Sequence, residues 1–183
     1  MFKNTSIFIF YLFFASCSSN PGLNNSDANK PDWIINAAAF TSVDDAETNP
    51  EIAYQINALV PKAICEVSLI TGGNLLHIST DYVFDGNQGC PYKPSQQRNP
   101  LSVYGSSKAS AEEFIEELLF SSNKAIILRT SWLVNHFGNN FVLKMIDLIN
   151  KKDNIKVVSD QIGCISNTYY LASICWTIIS LRN

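Results

Sequence analysis

From residue 31 onward, short apolar runs alternate with longer segments whose apolar positions recur every three or four residues. Trp33–Ala37, Leu75–Ser79, Ala125–Leu128 and Ile155–Val158 are runs of strand length. Residues 51–69 place Ile52, Ile56, Leu59, Ala63, Ile64 and Val67 at helical spacing. Pro61, which has no N–H to donate, must kink or restart that helix, and Gly72-Gly73 stops it. After the polar, Gly- and Pro-containing stretch 85–101, Ser102 can cap a helix running to about Leu119. That helix turns Phe114, Leu118 and Leu119 to its apolar face and leaves Glu112, Glu113, Glu116 and Glu117 mostly outside. Further helices are predicted over Asn140–Asn150 and near Tyr169–Leu181. Strands alternating with helices predict an α/β fold, a doubly wound parallel sheet covered on both faces. No internal repeat or low-complexity linker interrupts the series.

The stretch before residue 31 does not continue this pattern. An apolar run from Ile7 to Ala15 stands behind a single Lys3 and ahead of small residues and Cys17, which is the layout of a secretory signal. It is too short to span a bilayer, which needs about 20 apolar residues. Ala15-Ser16-Cys17 would suit a lipoprotein signal, with Cys17 lipidated, so a membrane partner enters only if residues 1–17 act as a signal. Residues 7–14 fit equally well as the first buried strand of the sheet, since periodicity cannot separate the two. A third reading is that the stretch is not native to the domain. Residues 1–30 are therefore read as a signal-like or non-native segment with a polar linker, apart from residues 31–183.

A chain of 183 residues with 46% hydrophobic and 16% charged residues can bury a core and suits one domain or part of a larger one. A net charge of −3 without a basic run excludes nucleic acid as a partner, because neutralising phosphates takes clustered Lys and Arg. The five cysteines are odd in number, scattered and without a C-x-x-C pair, which signals neither a disulfide framework nor a zinc site. A reducing, cytoplasmic location is the expectation, with export or anchoring through Cys17 as the alternative.

Ligands of open α/β sheets bind beyond the carboxyl ends of the strands. The clusters there are Asn36 to Thr41, Ser79 to Tyr82, and Arg129 to Trp132. Ala37, Ala38 and Ala39 are small enough for a flat ligand to approach the backbone, or simply for tight strand–loop packing. Tyr104 and Lys108, at i and i+4, share a helix face, where the ammonium can favour the ionised phenol. Moving a tyrosine from about 10 to about 7 corresponds to roughly 4 kcal/mol, and such a phenol can act as a general acid. The pair recurs by chance in sequences of this composition, so its context decides: Thr80, at a strand end, can bring a hydroxyl to the same face. His77 within a strand and His136 in a loop are read as structural or solvated.

The strings INAAAFTSVDDAE (35–47), HISTDYVFDG (77–86), NPLSVYGSSKASAE (99–112), ILRTSWL (127–133) and SDQIG (159–163), in unbroken order across residues 31–176, resemble the dTDP-4-dehydrorhamnose reductases. This family is a branch of the extended short-chain dehydrogenase/reductases. The resemblance implies an incomplete Rossmann-like sheet and hydride transfer from NADPH, or NADH, to the C4 keto group of dTDP-4-dehydro-L-rhamnose. Tyr104 would protonate the developing alkoxide, Lys108 would lower the tyrosine and hold the nicotinamide ribose, and Thr80 would hydrogen-bond the carbonyl. Asp81 and Trp132 would join Thr80 in contacting the sugar nucleotide, while Ala37, Ala38 and Ala39 would lie beside the cofactor together with Tyr104 and Lys108.

The pattern also departs from the family. No glycine-rich phosphate turn is present, Gly22 being the only glycine before Gly72, and Cys164-Ile165-Ser166 stands where a Pro-Thr pair usually follows the SDQIG-like string. The family also continues beyond the point where this chain stops. Some members use magnesium at a dimer contact, but no ligand cluster here supports Mg2+; a homodimer is left open. The alternatives to the enzyme are a non-catalytic homologue that binds a nucleotide sugar or a partner, and an exported or lipid-anchored remnant.

Overall fold

The computed structural model describes residues 12–15, 30–138 and 140–182, which divide into two compact units meeting at Arg129 and Thr130. In the first, a four-stranded sheet runs in the order β1 (Leu12–Ala15), β2 (Trp33–Asn36), β3 (Asn74–Thr80), β4 (Ala125–Thr130). β2 and β3 are parallel, with Trp33 opposite Asn74 and Asn36 opposite His77. Every residue of β2 is buried, which explains a run without polar alternation.

β1 corrects the expectation of a wholly parallel sheet, because it pairs antiparallel with β2, Leu12 opposite Asn36. An antiparallel neighbour can be reached through a loop, whereas a parallel one requires a crossover. Most of the signal-like segment, Cys17 included, lies outside the described residues; within it, Leu12–Ala15 is strand. Among the described residues, no helix is long and apolar enough to cross a membrane.

The crossover from β2 to β3 comprises α1 (Val43–Thr48), α2 (Pro50–Tyr54), a π-helical turn (Gln55–Leu59) and α3 (Val60–Thr71). Pro61 sits in the first turn of α3, where its missing N–H is tolerated, and the preceding turn widens instead of breaking. Gly72, at φ 85°, closes α3 in the left-handed conformation that glycine adopts most readily. α4 (Val103–Ile115) begins at Ser102, whose Oγ accepts the Gly105 N–H at 3.0 Å, and continues into a second π-helical turn, Glu116–Phe120. Ile34, Ile64, Leu75, Ile115, Leu119 and Ala125 form the core between sheet and helices. Glu112, expected outside, is fully buried.

In the second unit, β5 (Leu133–Val134) pairs parallel with β6 (Ser166–Asn167). α5 (Phe141–Lys151) is capped by Asn140, whose Oδ1 accepts the Leu143 N–H at 3.1 Å, and α6 spans Thr168–Arg182. The strand expected over Ile155–Val158 does not form, and Val157 and Val158 are exposed. An apolar run becomes strand only where a neighbour takes its N–H and C=O groups, and these residues join no ladder.

Candidate active site

Thr80 ends β3 and caps a 3-10 turn, Asp81–Val83; its Oγ1 accepts the Tyr82 N–H and donates to Asp81 Oδ1, both at 3.2 Å. α4 lies directly against this turn. A Cβ at Gly105 would collide with the Tyr82 carbonyl, so glycine there sets how closely the helix approaches. The Tyr104 ring consequently meets Tyr82 edge-on at 5.5 Å, beside the turn that Thr80 caps. Thr80, Asp81 and Tyr104 thus stand together at the end of β3.

The electrostatics differ from the expectation. Burial pushes the Tyr104 phenol above its ordinary value; the nearby Thr80 hydroxyl pulls the other way, and Asp81 and Tyr82 add to the rise. Lys108 supplies no compensating effect, because its Nζ is turned to the Ile78 carbonyl at 2.8 Å and to His77 Nε2 at 3.0 Å. Lys108 is 1% exposed, and burial brings its amine down to about 8 against the opposing pull of Glu112. Burial, followed by the Lys108 charge, also holds His77 well below the usual imidazole range.

His77 is structural, as read, but it also joins two parts of the site. Its Nδ1 lies 3.1 Å from Asn36 Nδ2, and Asn36 Oδ1 accepts the Ala38 N–H at 3.1 Å. Asn57 secures the same loop: it accepts the Phe40 N–H at 2.7 Å and donates to the Phe40 carbonyl and the Ser107 hydroxyl, both at 3.0 Å. The alanines are not equivalent, since Ala37 is exposed, Ala38 buried and Ala39 half-buried.

Four residues beyond Lys108 on α4, Glu112 accepts from Ser79 Oγ at 2.5 Å, Arg129 at 2.9 and 2.6 Å, and Arg98 at 3.0 Å. Burial alone would raise this carboxyl; hydrogen bonds from Arg129 and Ser79, then the Arg129 charge and the Arg98 hydrogen bond, outweigh it and hold it low. The links made by Asn36, Asn57, His77 and Glu112 were not part of the sequence reading. The visible signal was a polar side chain inside or beside an apolar run.

Trp132 belongs to the second unit, where it meets Phe141 edge-on at 5.0 Å and takes the left-handed φ of 43°. A bulky residue held there carries backbone strain. Its carbonyl accepts the Ser166 N–H at 3.1 Å, and Ser131 Oγ donates to the Cys164 carbonyl at 2.6 Å, so the unusual Cys164-Ile165-Ser166 string anchors this corner. Among the described residues, no group of three or more His, Cys, Asp or Glu side chains stands together as a metal site.

Residues 23–183 match the family model described as the RmlD substrate binding domain. The chain is 47% identical over 137 residues to a dTDP-4-dehydrorhamnose reductase of Aggregatibacter actinomycetemcomitans, covering 75% of this chain and 46% of the relative. Among solved structures, a dTDP-4-dehydrorhamnose reductase of Clostridium acetobutylicum superposes with a TM-score of 0.79 at 41% identity, covering 85% of this chain and 54% of that one. Its counterpart from Bacillus anthracis, solved in complex with NADP, gives a TM-score of 0.77 at 40% identity over 82% of this chain and 53% of its own. The fold is α/β and Rossmann-like, and the chain spans about half the length of these relatives.

Proposed function

The chain belongs to the RmlD substrate binding domain family, and we propose that it carries the proton-transfer centre of an NADPH-dependent reductase that converts dTDP-4-dehydro-L-rhamnose to dTDP-L-rhamnose. What supports the reading is the placement of the Tyr104 ring, on α4, against the turn that Thr80 caps at the carboxyl end of β3. A proton donor and a second hydroxyl at one strand end suit a carbonyl oxygen that becomes an alkoxide. Tyr104 donates its proton to that oxygen, while Thr80 holds the oxygen in line and Asp81 borders the sugar. The raised phenol keeps its proton until a stronger base, the alkoxide, forms beside it.

When bound, NADPH supplies the hydride. Exposed Ala37 leaves the backbone approachable for its nicotinamide-ribose end and Tyr104 lies on α4, whereas the Lys108 amine is buried against His77 and the Ile78 carbonyl. No residue is assigned to its pyrophosphate. In this reading Trp132 contacts the sugar nucleotide, and the chain works in the cytoplasm where both substrates are found.

The test is calorimetric titration with NADPH, followed by nicotinamide oxidation in the presence of the 4-keto sugar nucleotide. Binding and turnover are expected, with Tyr104→Phe losing about 10²–10⁴-fold in rate while retaining NADPH affinity. Absence of NADPH binding to the folded chain would overturn the reading.

A further inference from the structure

Both ring nitrogens of His77 face atoms that ordinarily donate. Nδ1 lies 3.1 Å from the Asn36 amide nitrogen, and Nε2 lies 3.0 Å from Lys108 Nζ. A neutral imidazole has one N–H and one acceptor, so it can receive from only one of them. The orientation of Asn36 is not free, because its Oδ1 accepts the Ala38 N–H, a backbone donor that cannot turn away. Asn36 therefore presents its NH2 to Nδ1, the ring proton resides on Nε2, and Lys108 must meet it with a lone pair. An unprotonated amine does so while still donating to the Ile78 carbonyl. With an ammonium, one pair of buried donors would face each other, either at His77 or, after Asn36 turns over, at the Ala38 N–H.

We propose that His77 is a positioning residue whose tautomer and the charge of Lys108 change together, the ring being Nε2–H beside the free amine and Nδ1–H beside the ammonium, with Asn36 turning over between them. One proton is taken up from solvent at Nζ; the ring keeps a single proton, which exchanges from Nε2 to Nδ1. The titratable and charged groups around this series are Tyr104 and Glu112 on α4, with Arg98 and Arg129 neutralising Glu112; Asp81 and Tyr82 act on Tyr104 from the turn after β3. Resting on the reductase reading, the consequence is that charging Lys108 releases the Ala38 N–H, so the cofactor-side loop and the Lys108 amine respond to each other.

The test uses the free chain labelled with 15N-histidine and 15N-lysine, with NMR following the ring nitrogens and Nζ against pH. The two histidines are separated by removing the signals of exposed His136 in His136→Gln. The His77 tautomer is expected to change over the same pH range in which Lys108 titrates, at about 8. Asn36→Asp gives Nδ1–H and the Ala38 N–H a carboxylate to share. It is expected to lock the Nδ1–H tautomer and raise proton affinity at Lys108 by about tenfold or more. A ring that stays in one tautomer while Lys108 titrates overturns the proposal, and so does an Asn36→Asp protein that keeps the Nε2–H form. Should Asn36→Asp not fold, the wild-type titrations decide alone. None of these readouts needs NADPH, so loss of NADPH binding with the linked titration intact would sink the reductase reading and leave this one standing.

Discussion

Lys108 and Glu112 lie one turn apart on α4, both buried against β3, yet they are treated in opposite ways. Glu112 is surrounded by two guanidinium groups and a hydroxyl, and its charge is matched where it stands. Lys108 is given an imidazole and a carbonyl, neither carrying a formal charge, and its proton is loosened. A buried charge that is matched by opposite charges ties structure together; one left to neutral partners stays adjustable. The contrast separates a joint from a working part within a single helix face.

The largest expected effect comes from breaking the joint. Glu112→Ala would leave Arg129 without its carboxylate, while Arg98 would keep only Glu116. Because both guanidinium groups are partly exposed, the loss is about 3 kcal/mol, at the low end for a broken buried pair, and urea unfolding of the two proteins measures it. Gly105→Ala follows, at about 2 kcal/mol, because its methyl must force α4 off the Tyr82 carbonyl. It should also lower turnover by displacing Tyr104. Ser79→Ala removes one of several hydrogen bonds to Glu112 and should cost about 1 kcal/mol.

The most informative effect is the pH dependence at Lys108. Its amine is lower in the folded chain than in the unfolded, so between about 8 and 10.5 the unfolded chain binds the extra proton and stability rises with pH. Lys108→Met removes that rise. Glu112 behaves oppositely: its carboxyl is depressed on folding, so its contribution is present above the ordinary carboxyl value of 4.5 and lost as acid protonates it in the folded chain. Unfolding midpoints of wild type, Lys108→Met and Glu112→Gln across pH separate the two slopes; identical slopes in all three would erase the contrast.

Much of this was legible beforehand. Trp33 to Asn36 and Leu75 to Ser79 are strands because apolar runs of that length between helical periods have little else to do, and Ser102 caps α4 as its residue type predicts. Tyr104 meets Thr80 because a helix following the loop after β3 must cross that strand's end. Glu112 was not legible: helical spacing places it among other acids, and only Arg98 from the loop and Arg129 from β4, distant in sequence, bring it inside. The Asn36–His77–Lys108 series was hidden for the same reason, its members being joined across three elements. Ile155–Val158 failed as a strand because hydrophobicity states a wish to be covered and does not supply the neighbour.

The widened turn before Pro61 has an engineering consequence. A π-helical turn carries one residue more than the regular spiral would, so deleting a single residue such as Ile56 should restore ordinary winding by moving the residues of the turn itself, Asn57 among them, while the helix on either side keeps its facing. Asn57 would then swing away from Phe40 and Ser107, and the loop it clips would come unfastened, even though the composition and length of the helix had hardly altered. Alanine scanning would overlook such a position. Indel scanning would find it at once.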